Sequence, residues 1–407
     1  MNYESRTPSM TKWPSRSSFS LGFLALCLLA AALNLRPALT SLATVLTEVQ
    51  QALEISSFSA GILTTIPVLC FGVFGPLAPL LSSRLGLERA LFLLLLLLGV
   101  ALGLRMYPHA VTIAISTLGA GASIGMAGVL LPVVIRGDFP NQIGVMTGIY
   151  TMALSVGGAS AAGLTPLFER TAGAWTSALA IWSIPALIAA SLWSALALNR
   201  TMTSRMARLP PFSNLLRDPV AWYVTAFMGL QAALAFIVLG WLPTLLRDRG
   251  FDVINAGLVT SSSIMAQTIT ALLVPPLATK LLSPRIAIMI VLMGACTGFL
   301  GLIYAPIESW PLWSVVLGLG QGGLFGLALL FISLRSPSAE VAAMVSGMSQ
   351  SIGYLGAALG PLATSLLRDV FSGPTGPALL FTVISVFCTW FGLRAAQPVY
   401  ILSPGTR

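Results

Sequence analysis

The chain has 407 residues, of which 56% are hydrophobic and only 8% are Asp, Glu, Lys or Arg, and its formal net charge is +9. Soluble globular proteins carry about 25% charged residues, so a chain this poor in charge cannot cover itself with hydrated surface and must face lipid. Soluble enzymes, disordered chains, fibres and coiled coils are excluded, and so is a nucleic-acid partner, because the basic residues stand singly between apolar runs.

A bilayer core about 30 Å thick takes roughly 20 apolar residues in a helix. The sequence supplies twelve such stretches. Residues 1–18 form a basic tail, predicted to be cytoplasmic, with Arg6, Lys12 and Arg16. The first apolar stretch, 19–47, contains Ala30-Ala31-Ala32, as a cleaved signal peptide would. Apolar residues run on past Arg36 to Val49, however, which predicts an uncleaved membrane helix. Spans follow at 57–82, 88–106, 109–134, 140–167 and 174–198, completing an N-terminal bundle of six over 19–198. Residues 199–217 are the longest polar connection, with Arg200, Arg205, Arg208 and Pro210-Pro211, and are predicted to be a cytoplasmic linker. Six more spans, 218–246, 252–280, 284–304, 309–334, 338–367 and 375–396, make a C-terminal bundle over 218–396, before a second cytoplasmic tail at 397–407.

Charge orients the chain. With both termini on one side, the loops of that side hold 15 of the 21 basic residues, whereas the other side holds only Arg105, Arg170, Arg247, Arg249 and Arg368. The positive-inside rule then makes both termini cytoplasmic.

The halves echo each other at a spacing of roughly 200 residues. Gly61-Ile62-Leu63-Thr64-Thr65 returns as Gly257-Leu258-Val259-Thr260-Ser261, and Pro76-Leu77-Ala78 as Pro276-Leu277-Ala278. Arg84 matches Arg285, Arg136 matches Arg335, and Thr147-Gly148 matches Ser346-Gly347, all in the same order. Two similar bundles can rock about a shared midplane site, which is a physical route to alternating access. Glycines concentrate in the fourth, fifth, tenth and eleventh spans, and Pro166 and Pro361 allow bends; close packing alone explains them equally well.

The segment Leu33-Asn34-Leu35-Arg36-Pro37-Ala38-Leu39-Thr40-Ser41 resembles the first helix of the major facilitator superfamily's cyanate and 2-nitroimidazole transporter family. Gly86-Leu87-Glu88-Arg89, Gly240-Trp241-Leu242-Pro243 and Ser346-Gly347-Met348-Ser349-Gln350-Ser351-Ile352-Gly353-Tyr354 carry the resemblance along nearly the whole chain. It implies an all-α membrane protein of twelve helices in two pseudo-symmetric bundles, a monomeric carrier of a small solute in a bacterial inner membrane. One departure stands out. The superfamily normally has an acidic residue before Arg-x-Gly after the second helix, and here Ser83 precedes Arg84-Leu85-Gly86, with Glu88 as a partial substitute.

Arg36 is the only charged residue deep in a predicted span. An arginine at a helix centre costs about 2.5–3.5 kcal/mol on insertion scales, so it needs a partner or a cavity. Its planar fork suits two oxygen acceptors, which points to an anionic or nitro-bearing solute; the alternative is an arginine satisfied by helix carbonyls. Thr40 shares its face at i+4, whereas Asn34 does not, and for Asn34 a binding role and a packing role are both open. Gln231, Gln267, Gln321 and Gln350 lie mid-span, with Tyr150 and Tyr354 at corresponding places in the halves. Such groups are expected to face the interior, touching solute or bridging helices. Trp241 is a candidate lining residue or an interfacial aromatic. The expected binding set is therefore Arg36, Asn34, Tyr150, Gln231, Trp241, Gln267, Gln350 and Tyr354.

Other chemistry lacks its residues. His109 is the only histidine, and Cys27, Cys70, Cys296 and Cys388 lie inside apolar segments without a CxxC pair, so no metal site, disulfide framework or catalytic triad is expected. There is no GxxxxGK[ST] motif, hence no ATP hydrolysis and no cofactor. Transport is then secondary or passive, with a proton or another ion as a possible coupling partner. Glu48 and Glu54 are expected to be solvated, and the acids of that side are scattered, which counts against a membrane enzyme. The leading expectation is a carrier of a small anion such as cyanate or of a planar nitro-heteroaromatic; the alternative is a broad-range drug exporter.

Overall fold

In lipid every backbone N–H and C=O must find its partner within the segment, so apolar spans fold as helices. The computed structural model describes residues 20–199, 212–281 and 283–402, and the regular structure among them is entirely helical. The basic tail, most of the linker with Arg200, Arg205, Arg208 and Pro210-Pro211, and Arg407 lie outside the described residues.

The first span is two helices. Ser20 caps α1 (Leu21–Leu33) by accepting the Phe23 amide at 3.2 Å. The chain unwinds through Asn34, Leu35 and Arg36 and restarts as α2 (Pro37–Thr44). Pro37 causes the break: it has no N–H for the Leu33 carbonyl four residues back, and its ring crowds that oxygen. The expected continuous helix over 19–47 is corrected accordingly. A short α3 (Leu46–Leu53) follows on the face opposite the chain termini.

The second span is α4 (Ser57–Phe74), a 3-10 turn at Gly75–Leu77 and α5 (Ala78–Leu85); the third is α6 (Leu87–Gly103), ending in a turn at Leu104–Met106. α7 (Ala110–Asp138) and α8 (Ile143–Ala172) are the fourth and fifth, and α9 (Trp175–Ala180) with α10 (Ser183–Asn199) makes the sixth. The second half runs α11 (Pro219–Asp248), α12 (Val253–Lys280), α13 (Pro284–Tyr304), α14 (Trp310–Leu334), α15 (Ala339–Ala357) with α16 (Leu359–Val370), and α17 (Thr375–Ala395). Among the described residues, eleven of these spans are long and apolar enough to cross a membrane. The remaining one, α15–α16, is interrupted at Ala358, and twelve crossings bring the first and last described residues, Ser20 and Leu402, to one face, called here the terminal face.

Each half has its own core. Leu28, Leu91, Leu95, Leu131 and Trp193 are buried in the first, and Phe227, Trp241, Phe299, Phe331 and Phe381 in the second. Trp193 Nε1 donates to the Cys27 carbonyl at 2.9 Å, and Phe299 stacks on Phe381 with centroids 4.1 Å apart. On the terminal face the chain's last described residues are pinned, with Ile401 N donating to the Arg335 carbonyl at 2.8 Å and Leu402 N to Asp218 Oδ2 at 2.6 Å. Ser83, where the superfamily's acid is missing, turns back on its own helix and donates to the Leu80 carbonyl at 2.8 Å.

The halves meet mainly away from the terminal face. α2 packs on α8 of its own bundle and on α11 and α12 of the second, whereas α1 packs on α7, α8 and α10 of its own. α4 meets α15 and α16, and α8 meets α12. Glycine permits these approaches: a Cβ on Gly61 would stand 2.6 Å from Ser365 Cβ, and one on Gly257 would overlap the Ala162 carbonyl oxygen.

Candidate functional site

The break in the first span presents Arg36 between the bundles. The Arg36 carbonyl accepts the amides of Leu39 and Thr40 at 3.0 and 3.2 Å, and the Thr40 hydroxyl at 3.3 Å, so the backbone at the break is held by the first turn of α2. The side chain runs along α8, where a Cβ on Gly158 would lie 3.2 Å from both Cβ and Cδ of Arg36 and 3.6 Å from Ile264 of α12. Nη1 is buried and has no hydrogen-bond partner among the described residues. A cationic donor left open at such a place is a strong attractor for an anion or for nitro and carboxylate oxygens.

Two tyrosines lie near it. Tyr150 of α8 and Tyr354 of α15 lie within electrostatic reach of the guanidinium. Tyr354 also belongs to a triad with Phe71 of α4 and Phe236 of α11, in which the three ring centroids stand 5.8, 6.1 and 6.0 Å apart. The triad draws one ring from the first bundle and two from the second. Sequence reading missed Phe71 and Phe236, since a phenylalanine in a membrane helix carries no local mark of function. Gln350, one turn before Tyr354, is half-buried, and its Nε2 donates to Ser346 Oγ at 2.9 Å.

The other expected residues lie elsewhere. Asn34 Nδ2 donates to the carbonyls of Ala30 at 2.8 Å and Pro185 at 3.1 Å, tying the end of α1 to α10. Gln267 Nε2 donates to Gln321 Oε1 at 3.2 Å, and Gln321 Nε2 to the Leu234 carbonyl at 3.1 Å, a chain that bridges α12, α14 and α11 within one bundle. Gln231 is buried, with Nε2 3.2 Å from Met228 Sδ. Trp241 is buried in the second core, its Nε1 without an acceptor. Of the eight, Arg36, Tyr150 and Tyr354 converge, with Gln350 beside them. An Asn34→Ala variant is expected to lose roughly 1 kcal/mol of stability, because two part-buried carbonyls lose a donor. Thermal unfolding should register that loss while the half-saturating solute concentration stays within about twofold.

The face opposite the termini is closed above Arg36. Leu39, Leu42, Leu63, Thr64, Pro67, Phe236, Leu239 and Gly240 leave a crevice of about 10 Å³ between them, room for about one water. Beyond it Arg247 Nη1 of α11 meets Glu48 Oε1 of α3 at 2.5 Å, and Ser365 Oγ donates to the Ser57 carbonyl at 2.5 Å. Glu48 is therefore paired across the bundles, and the expectation that it is simply solvated is corrected. Arg368 grips Asp248 in the same region through bonds of 2.6 and 2.7 Å. The Glu48–Arg247 side chains are 21% and 26% exposed, so solvent screens them and their coupling should be on the order of 0.5–1 kcal/mol. Removing either partner is expected to raise labelling of a Leu39→Cys probe by an impermeant thiol reagent applied from that face, about two- to fivefold at that coupling. Unchanged labelling would show that the pair does not hold the closure.

A second arginine is buried outright. Arg105 lies at the end of the third span, where the sequence reading put a loop residue, and it is 0% exposed. Nε donates to Ser116 Oγ at 3.1 Å, Nη1 to Ser41 Oγ at 3.4 Å and Nη2 to the Ala38 carbonyl at 3.0 Å. Its signal in the sequence is that the apolar run continues past it to Met106 without a polar break.

A family model described as Major Facilitator Superfamily matches residues 21–361. The uncharacterized transporter YycB of Bacillus subtilis (strain 168) is 36% identical over 374 residues, which is 91% of this chain and 92% of that protein. The 2-nitroimidazole transporter of Escherichia coli (strain K12) is 31% identical over 91% of this chain and 94% of its own length, and the cyanate transport protein CynX of the same organism is 30% identical over 85% and 90%. A bacterial homolog of the human lysosomal transporter Spinster, solved inward-facing and unoccupied, superposes with a TM-score of 0.74 at 15% identity, covering 93% of this chain and 97% of that one, a likeness of fold alone.

Proposed function

The chain belongs to the Major Facilitator Superfamily, a family of transporters rather than enzymes, and from that premise we propose that it is a secondary carrier whose Arg36 holds a small anion or a planar nitro-heteroaromatic during alternating access. The observation that carries this reading is Nη1 of Arg36, a buried cationic donor without a partner among the described residues, set where the two bundles face each other. The names of the two Escherichia coli relatives suggest the solute class, and both named solutes offer what a guanidinium takes: a negative charge or a nitro group's paired oxygens. The triad of Phe71, Phe236 and Tyr354 beside it favours the planar ring over the bare anion, since aromatic faces stack on a ring.

The mechanism follows from the closure. Solute enters from the terminal face, meets Arg36 with Tyr150 and Tyr354, and is stopped by the crevice at Leu39 and Phe236. Pairing the guanidinium with the solute's negative charge or nitro oxygens offsets part of the cost of carrying it between two apolar walls, so the loaded carrier passes more easily through the occluded state. The bundles then rock, the Glu48–Arg247 tie opens and the terminal face closes. The excess of basic residues on the terminal face supports both termini being cytoplasmic in a bacterial inner membrane.

Uptake by liposomes containing the purified protein tests the reading, with labelled cyanate, 2-nitroimidazole and a panel of unrelated lipophilic drugs as solutes. Saturable flux of one of the first two, competed by the other, supports it. Flux of the drugs without flux of either would favour a broad-range exporter and overturn it.

A further inference from the structure

We propose that Arg105 is a positioning residue for Arg36: it anchors the half-helix α2, and with it the turn that presents the solute-binding guanidinium, to the third and fourth spans. The inference rests on the reading of Arg36 as the group that holds solute.

The need for an anchor arises from the break. α2 is only eight residues long and is cut off from α1 by Pro37, so it lacks the helical hydrogen bonds that would transmit its position from the rest of the span. α2 packs chiefly on α8 of its own bundle and also on α11 and α12 of the other, which must move relative to it in any rocking cycle. Arg105 adds to the α8 packing a polar tie that holds α2 to the third and fourth spans. The guanidinium reaches two points on α2, the Ala38 carbonyl and the Ser41 hydroxyl, while Nε is held by Ser116 of α7 and the side chain itself springs from the end of the third span. Three elements are locked through one rigid fork. Ala38 is only two residues from Arg36, so tilting α2 displaces the turn directly.

The chemistry of the partners separates this from an ordinary ion pair. Each of the three acceptors is a hydroxyl or a carbonyl, and none is a carboxylate. A buried cation without a counter-ion is costly and gains nothing from packing that an apolar residue would not give. What a guanidinium adds here is several donors in a fixed plane, which no neutral side chain of that length provides.

The test compares Arg105→Gln, Arg105→Lys and Ser116→Ala with Arg36→Ala and the unaltered full-length protein in liposomes, using 2-nitroimidazole and cyanate as probes. The readouts are half-saturating concentration, maximal rate, and amide hydrogen exchange of residues 38–44. Arg105→Gln is expected to raise the half-saturating concentration about tenfold with the maximal rate within about twofold, and to speed exchange across 38–44 by a similar factor, as loss of a charged donor predicts. Arg105→Lys, which keeps the charge but gathers its donors on one nitrogen, should fall between, and Ser116→Ala should move the same readouts a few-fold. Arg36→Ala should lose uptake while exchange across 38–44 stays as in the unaltered protein. If Arg105→Gln does not fold, the lysine and Ser116→Ala variants decide. Wild-type exchange and half-saturation in both would overturn the proposal, as would a fall in melting temperature and maximal rate alone. Normal uptake by Arg36→Ala would instead overturn the functional reading on which it rests.

Discussion

Replacing Arg36 with alanine is expected to abolish saturable uptake while leaving the melting temperature at or above that of the unaltered protein. The two effects have opposite signs for one reason. Nη1 has no partner among the described residues, so removing it breaks no hydrogen bond there, and it takes an uncompensated charge out of a buried place. The solute loses its partner. Hydrogen bonds to a charged donor contribute about 1.5–3 kcal/mol each, so the loss of two weakens binding by roughly two to four powers of ten. Arg36→Lys keeps the charge but not the planar fork, and should lose about tenfold. Initial rates in liposomes and thermal unfolding in detergent check both signs. A destabilised alanine variant with normal uptake would make Arg36 a structural residue.

The second large effect concerns two neighbouring glycines. Gly157→Ala should destabilise the protein by about 3 kcal/mol or more, because its Cβ would overlap the Leu33 carbonyl oxygen, and a backbone at the end of α1 cannot step aside. That carbonyl is the one deprived of its helical donor by Pro37, so the glycine and the break are parts of one packing solution. Gly158→Ala should behave differently. Its Cβ would stand 3.2 Å from Arg36 Cβ and Cδ, a side chain that can yield by a few tenths of an ångström, and alanine regains about 1 kcal/mol of helix propensity. Stability should therefore change by under about 1 kcal/mol, while half-saturation rises several-fold because Arg36 has been pushed. Thermal unfolding separates the two variants, and uptake by Gly158→Ala shows whether Arg36's placement matters. Equal melting temperatures for both would contradict the close contact at Leu33.

The twelve spans were legible because hydrophobic length alone forces helices in lipid, and Arg36 was legible because one charge in such a run is conspicuous. What escaped was the break at Asn34–Arg36, although Pro37 announces it: hydrophobicity runs straight through, and hydropathy does not register a missing N–H. Arg105 escaped for the opposite reason. Standing a few residues from a span's end, it looked like a loop residue, and only tertiary packing shows three elements closing over it. Glu48 was read as solvated because its partner, Arg247, lies nearly 200 positions away in the other half. The glutamines illustrate a limit of composition: each needs a partner, and Gln267 with Gln321 finds one within its own bundle rather than at the midplane. Phe71 and Phe236 became visible only when the halves were placed together.

The central claim is that Arg36 is the group solute binds, and a structure of the protein at saturating 2-nitroimidazole or cyanate tests it most directly. The account predicts the solute's oxygen or nitrogen acceptors at about 2.7–3.2 Å from Arg36 Nη1, with Tyr150 or Tyr354 alongside. Solute bound elsewhere, with the Arg36 guanidinium satisfied by helix carbonyls or a carboxylate, would contradict it.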